Sequence, residues 1–206
     1  MAEIIKILIV EDQVILRESM ENFLNSQKDM RVAGVTGSAG KAPELCKELL
    51  PDLVLMDVLT EDECSGFAAT VQIRQELPDI KIVMITALPE ITFIAAAKKA
   101  GAHSFVYKNM DSEYLLFAIR STMKGQGVYP GPPANRPFKV TFTDTEIAVI
   151  RLICQGKTHT EITGILAMSD SSIRRIITDI LNKTGFDSIM KFAVYAVANG
   201  FIVPNI

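Results

Sequence analysis

IIKILIVED, residues 4–12, is apolar at nearly every position and then ends abruptly on two adjacent acids, Glu11 and Asp12. A strand that is apolar on both faces lies between helical layers, as parallel strands do. Four more short apolar runs follow it: RVAGVT (31–36), DLVLMD (52–57), IKIVMIT (80–86) and HSFVY (103–107). Between them lie stretches with helical spacing, among them Val14, Leu16, Met20, Phe23 and Leu24, and Phe67, Val71, Ile73 and Leu77. Each is about one crossover long, so the alternation predicts a (βα)5 unit, an α/β doubly wound parallel sheet. A last amphipathic segment, DSEYLLFAIRSTMKG, opens on Asp111, whose carboxylate can cap first-turn amides, and stops near Gly125. The first domain is therefore expected over residues 1–124.

GQGVYPGPPANRP, residues 125–137, holds four prolines and three glycines in thirteen positions and cannot continue a helix. We assign it as a linker. Beyond it, TDTE from Thr143 fits a capping box, in which the Thr hydroxyl and the Glu146 carboxylate satisfy each other's free amides. Four short helices fit near 143–154, 158–166, 169–184 and 187–199, which makes 138–206 a small all-α four-helix domain.

Composition sets outer limits. The 206 residues are 49% apolar, ample for a core and unlike a disordered chain. Nowhere do about eighteen uncharged apolar residues follow one another, and Glu3 and Lys6 interrupt the first apolar run, so neither a signal peptide nor a membrane span is expected. A soluble cytoplasmic protein follows. Cys46, Cys64 and Cys154 lack a CxxC spacing and read as reduced, packing thiols. His103 and His159 have no metal-ligand spacing. Residues 1–137 carry 14 basic and 18 acidic side chains and 138–206 carry 7 and 6, so the second domain is +1 against −3 for the chain. That permits nucleic-acid binding without arguing for it.

Ligands of doubly wound sheets sit outside the carboxyl ends of the strands. Strand one ends in Glu11 and Asp12, strand three in Asp57, strand four in Thr86, and Lys108 follows strand five. Three carboxylates sharing a cleft repel each other unless a hard cation joins them, and oxygen-only ligands with room for water suit Mg2+. With that ion Asp57 can attack phosphorus as a nucleophile, while Lys108 and Thr86 hold phosphoryl oxygens. Singly, each residue has a plainer account: Asp12 as a helix cap, Thr86 as a strand end, Lys108 as a solvated charge. Five such residues at the same end of the appropriate strands favour one shared site.

Through ILIVEDQ (7–13), DLVLMD (52–57), IVMITA (82–87) and GAHSFVYKN (101–109), residues 1–124 resemble the receiver domain of two-component response regulators. The resemblance implies a flavodoxin-like fold and phosphoryl transfer from a sensor histidine kinase to Asp57. It also implies Mg2+ or Mn2+ held by Asp12, Asp57, the backbone carbonyl of Leu59 and, through water, Glu11. Thr86 and Phe105 match the family's switch pair, which remodels the face of helix four, strand five and helix five. Phe105 also has a plain reading as a buried strand aromatic, and the two are compatible. The sequence departs from the family where LTEDECSG (59–66) replaces the usual Met-Pro, making an acidic loop of Glu61, Asp62 and Glu63. Leu59 and Leu88 stand where the family flanks the path of hydrolytic water, and their apolar branches imply slow self-dephosphorylation.

In the third helix of the second domain, Ile173, Ile176, Ile177, Ile180 and Leu181 form an inward stripe. The opposite face presents Ser171, Arg174, Arg175 and Thr178, either a DNA-reading surface or an ordinary one in which Arg175 pairs with Asp179. FTDTEIAVIRLICQGKTHTEITGILAMSDSSIRRIITDILNKTGF (142–186) resembles the LuxR-type helix-turn-helix of the NarL/FixJ branch. That resemblance places Arg174, Arg175 and Thr178 at DNA-facing positions and implies promoter DNA and a homodimer of the phosphorylated form as partners. Ile176 and His159 replace the branch's usual histidine and asparagine, and Thr163 its usual alanine, while the arginine usual near Ser188 is missing. The alternative is a phosphorylation-controlled protein-binding regulator whose helix-turn-helix no longer engages DNA. An aspartate-nucleophile phosphohydrolase would need an acid two residues beyond Asp57, where Leu59 stands, so no enzymatic turnover of an external substrate is expected.

Overall fold

A computed structural model describes residues 4–60, 65–131 and 141–204. The described residues within 4–87 and 92–130 form one compact unit, and 88–91 with those within 131–204 form a second. In the first, β1 (Ile5–Val10), β2 (Met30–Thr36), β3 (Leu53–Asp57), β4 (Lys81–Thr86) and β5 (Ser104–Tyr107) pair in parallel in the order β2-β1-β3-β4-β5. Helices α1 (Val14–Asn25), α2 (Ala42–Leu49), α3 (Gly66–Glu76), α4 (Phe93–Ala100) and α5 (Ser112–Met123) make the crossovers. This is the doubly wound, flavodoxin-like arrangement expected from the alternation of apolar runs.

Burial explains why most of those runs hold so few polar positions. Every residue of β3 and β5 is buried, and so is all of β4 beyond Lys81. One set of alternate residues, Ile7, Ile9, Leu53, Leu55, Val83, Ile85 and Val106, packs in one cluster with Leu24, Leu116 and Ile119. Their neighbours along the strands, Leu8, Val54, Met56, Ile82, Met84 and Phe105, are buried as well and point to the opposite layer by the alternation of strand side chains. Each such side chain contributes about 1.5–3 kcal/mol by leaving water. Two hydroxyls that the layers bury are satisfied by each other: those of Ser104 and Thr122 meet at 2.6 Å, and Val128 N–H donates to Ser104 Oγ at 2.9 Å. Both helical stretches form, as α1 and α3, but not all of their apolar residues face the core. Val14 and Val71 are exposed, because α1 turns Met20 and Leu24 to the core and α3 turns Ala69, Thr70 and Ile73.

The chain read as linker from residue 125 still holds to β5 over its first residues, since Phe105 N–H donates to the Val128 carbonyl and Tyr129 Oη to that of Ala102. Residues 132–137 of that segment, Glu61–Glu63 and Cys64 lie outside the described residues.

The second unit contains α6 (Asp144–Cys154), α7 (His159–Leu166), α8 (Asp170–Thr184) and α9 (Ile189–Ala198). Val149, Ile150, Ile162, Ile173, Ile180 and Phe192 form its core. The capping box at Thr143 and Glu146 is present, and Thr158 with Glu161 forms a second at the start of α7. Lys183 reaches back from α8 to both carboxylate oxygens of Glu146, each at 2.7 Å.

Two glycines measure how tightly each unit is built. A Cβ on Gly66 would stand 1.9 Å from the Asp57 carbonyl oxygen, which is backbone and cannot yield, whereas one on Gly164 in α7 would meet nothing within 4 Å. Gly66→Ala is therefore expected to destabilise the first unit by about 1–3 kcal/mol or more. Gly164→Ala should stabilise α7 by up to about 1 kcal/mol. Urea midpoints for the two variants should move in opposite directions.

Candidate functional site

β1 ends at Val10 and delivers Glu11 and Asp12 to the carboxyl edge of the sheet, β3 ends on Asp57, and β4 ends on Thr86. β5 stops at Tyr107, and the next amide, of Lys108, still donates to the Thr86 carbonyl at 2.7 Å, so the lysine is aimed by the sheet ladder itself. The register of the parallel strands thus brings five residues, 97 positions apart at the extremes (Lys108 and Glu11), to one edge. One oxygen from each of Glu11, Asp12 and Asp57 lies within 4.8 Å of the others. Lys108 Nζ stands 2.5 Å from Asp57 Oδ2 and 2.6 Å from Glu11 Oε2. Glu11 is 0% exposed and Asp57 3%.

Burial governs the electrostatics. It pushes the Asp57 carboxyl up to about 6, against the hydrogen bond and charge of Lys108, with the nearby Glu11 charge adding to the rise. For Lys108 burial pulls the other way, but hydrogen bonds and charge from Asp57 and Glu11 outweigh it and hold the ammonium above its ordinary range. Three carboxylates against one ammonium leave the cluster two negative charges in excess when all are ionised. An all-oxygen donor set with that excess fits a hard divalent cation.

The pocket is framed by residues that the motifs did not reveal. Arg17, on α1, donates through Nη1 to the backbone carbonyls of Glu11 at 2.6 Å and Asp12 at 3.3 Å, which pins the loop bearing both acids. Gln13 N–H donates to Glu11 Oε1 at 3.1 Å. After β3, Leu59 N–H donates to Asp57 Oδ1 at 3.4 Å and Thr60 Oγ1 accepts from Ala39 N–H at 3.3 Å. Helical spacing placed Arg17 one turn into α1, but nothing in the sequence shows that its guanidinium folds back on the loop. Thr86 is buried at the pocket edge, and Phe105, fully buried, meets Tyr107 edge-on with ring centroids 5.4 Å apart.

Other candidate side chains lie apart from this cluster. Burial pushes the Cys46 thiol up to about 12 and that of Cys154 to about 11, which suits packing rather than reactivity. Burial lowers His103 to about 4, and its Nδ1 accepts from Ile82 N–H at 3.1 Å, a satisfied neutral ring. In the second unit Ser171, Arg174, Arg175 and Thr178 are all exposed along α8. Within that helix an ion pair joins Arg174 to Asp170 at 2.6 Å, and among the described residues none joins Arg175 to Asp179. His159, given no partner from its sequence spacing, lies 2.7 Å from Asp170.

Residues 7–120, more than half the chain, match the family model for the response regulator receiver domain. Over 207 aligned residues, 96% of this chain and 99% of its relative, the chain is 30% identical to the response regulator protein VraR of Staphylococcus aureus. A two-component response regulator of the LuxR family from Aurantimonas sp. SI85-9A1 is 29% identical, with a TM-score of 0.59 over 64% of this chain and 91% of that one. The two-component response regulator RcsB, in a complex with DNA, shares the fold at a TM-score of 0.70, with 17% identity over 95% of this chain and 100% of that one.

The raised Asp57 carboxyl carries a pH signature. Its folded value lies above the unfolded one, so the stability it contributes is complete below about pH 4 and is lost as pH rises through about 6. In metal-free buffer, wild type should therefore lose roughly 2–3 kcal/mol relative to Asp57→Asn between about pH 4 and pH 7. Chemical denaturation at both pH values measures it; parallel responses of the two proteins would contradict the burial argument.

Proposed function

The chain belongs to the response regulator family, and from that premise we propose that it is a two-component transcription regulator in which phosphorylation of Asp57 controls promoter binding by the helical unit. The observation that carries this reading is the buried Asp57 carboxylate, 2.5 Å from Lys108 and within reach of Glu11 and Asp12. An Asp57 oxygen forms the new bond to phosphorus, and the bond to the imidazole nitrogen of the sensor kinase's phosphohistidine breaks, with the imidazole leaving. Asp12, Asp57, the Leu59 carbonyl and, through water, Glu11 would hold Mg2+ or Mn2+, which when bound neutralises charge on the phosphoryl oxygens.

Lys108 exchanges its ion pair with Asp57 for one with a phosphoryl oxygen, so the charge it now balances is carried over to the product. Thr86 donates to another of those oxygens, and Phe105 is the second member of the switch, coupling the pocket to the face of α4, β5 and α5. An apolar Leu59 shields the acyl phosphate from water, so self-dephosphorylation is slow; no external substrate is turned over. The receiver occupies 1–124, the linker 125–137, and the LuxR-type helix-turn-helix 138–206. In that domain Ser171, Arg174, Arg175 and Thr178 face DNA, and two copies engage paired half-sites about 34 Å apart. No helix among the described residues is long and apolar enough to cross a membrane, in keeping with work in the cytoplasm on a kinase and a promoter.

A second reading, a regulator that binds protein instead of DNA, draws on the helical domain's small net charge of +1, from 7 basic and 6 acidic residues. Recovery of bound genomic DNA with and without beryllofluoride separates the two. Particular fragments should be enriched several-fold by beryllofluoride with wild type and not with Asp57→Asn, and Arg174→Ala should weaken binding by about tenfold or more. Each phosphate contact should contribute about −0.9 to the log-log salt slope. No preference for any fragment over random DNA would favour the protein-binding reading. The phosphoryl half-life should shorten when Leu59 is changed to Asn.

A further inference from the structure

α8 opens on Asp170, and the carboxylate of that residue serves two partners. Oδ2 accepts from Arg174 Nε at 2.6 Å, one turn along the same helix, and Oδ1 lies 2.7 Å from Nδ1 of His159, the first residue of α7. A carboxylate only accepts, so the His159 proton on this side is on Nδ1. His159 Nε2 is buried and has no hydrogen-bond partner among the described residues, so Asp170 is the group that orients the ring. Helix capping does not account for Asp170, because Ser169 Oγ already takes the Ser172 N–H at 3.2 Å. An acid in the first turn of a helix is favourable in itself, but the pair with Arg174 adds little to that: the Arg174 side chain is 72% exposed and that of Asp170 58%.

The bond to Nε has a different consequence. A guanidinium is planar, with five donors in a fixed fork, and fastening Nε sets the plane while leaving the two terminal nitrogens to point elsewhere. Those terminal nitrogens are the pair that meets O6 and N7 of a guanine. We propose that Asp170 is a positioning residue for sequence selection, which clamps Arg174 so that its terminal nitrogens meet a single guanine edge, with His159 holding Asp170 in place across the α7–α8 turn. The hydrogen bond from Arg174 also holds the Asp170 carboxyl below its usual range, so the clamp is ionised at neutral pH. An ionised carboxylate at a DNA surface repels phosphates, so Asp170 trades overall affinity for selectivity.

The inference rests on the reading that α8 enters a DNA groove, and the test keeps the two apart. Full-length protein with beryllofluoride is first used to select a preferred site from a random-sequence duplex library. Asp170→Ala should bind random DNA several-fold tighter, while its ratio of preferred to random affinity drops about tenfold. The preference it loses should be at the same base pair as that lost in Arg174→Ala, and the double variant should lose no more there. Asp170→Asn, which keeps an acceptor for Nε, should retain part of the preference, and His159→Ala should give a smaller loss at that pair. Equal gains of affinity for preferred and random DNA in Asp170→Ala would overturn the clamp while leaving DNA binding intact. If wild type selects no sequence at all, DNA reading by α8 fails and the clamp fails with it. Matched thermal melting of all variants checks that none has lost its fold.

Discussion

Lys108 stands between two buried carboxylates, 2.5 Å from Asp57 and 2.6 Å from Glu11, and much of the first unit is arranged so that it can. Charges of this kind are costly to bury unless they are paired and hydrogen-bonded. The pairing requires strands β1, β3 and β5 to end at the same level, which the parallel register provides through pairs such as Val10 with Met56 and Thr86 with Tyr107. It also requires α3 to begin almost on top of Asp57, which only a residue without a Cβ permits, at Gly66. The apolar layers are thus the support that holds a polar edge in place.

One ammonium among three acids is an incomplete neutralisation, and the consequence is visible at Asp57, whose carboxyl is driven up to about 6 chiefly by burial. A group so poised gains from any added positive charge, and a divalent cation meets that need with the oxygen donors already present. Arg17 contributes differently. It binds backbone carbonyls rather than the acids themselves, so it shapes the loop without spending the negative charge of the site.

The helical unit follows another logic, since the face of α8 proposed to meet DNA is exposed. Its precision comes from helix starts: capping boxes at Thr143 and Thr158 and a serine cap at Ser169 set where α6, α7 and α8 begin. With α8 begun at Asp170, the helical repeat brings Arg174 back over that carboxylate, and the start of α7 brings His159 to its other oxygen. Side chains from two helices meet at one acid because their first residues are held so close together.

Much of this was legible in the residues alone. Runs apolar on both faces, broken at crossover intervals, determine a parallel doubly wound sheet, because no other common element buries two faces over so few residues. The acids, Thr86 and Lys108 at the ends of those runs determine a shared edge, since strand direction leaves them nowhere else to gather. Periodicity placed α1 and α3 but could not say which of their apolar residues turn outward, as Val14 and Val71 do. Nor could it show Arg17 bent back on its own loop, or Asp170 choosing Arg174 and His159 while Arg175 and Asp179 go unpaired among the described residues. Those outcomes depend on where one helix begins relative to another and on rotamers chosen among neighbours distant in sequence. Local pattern carries the order of elements along the chain, and only the packed fold decides which of several chemically willing partners comes within hydrogen-bonding distance.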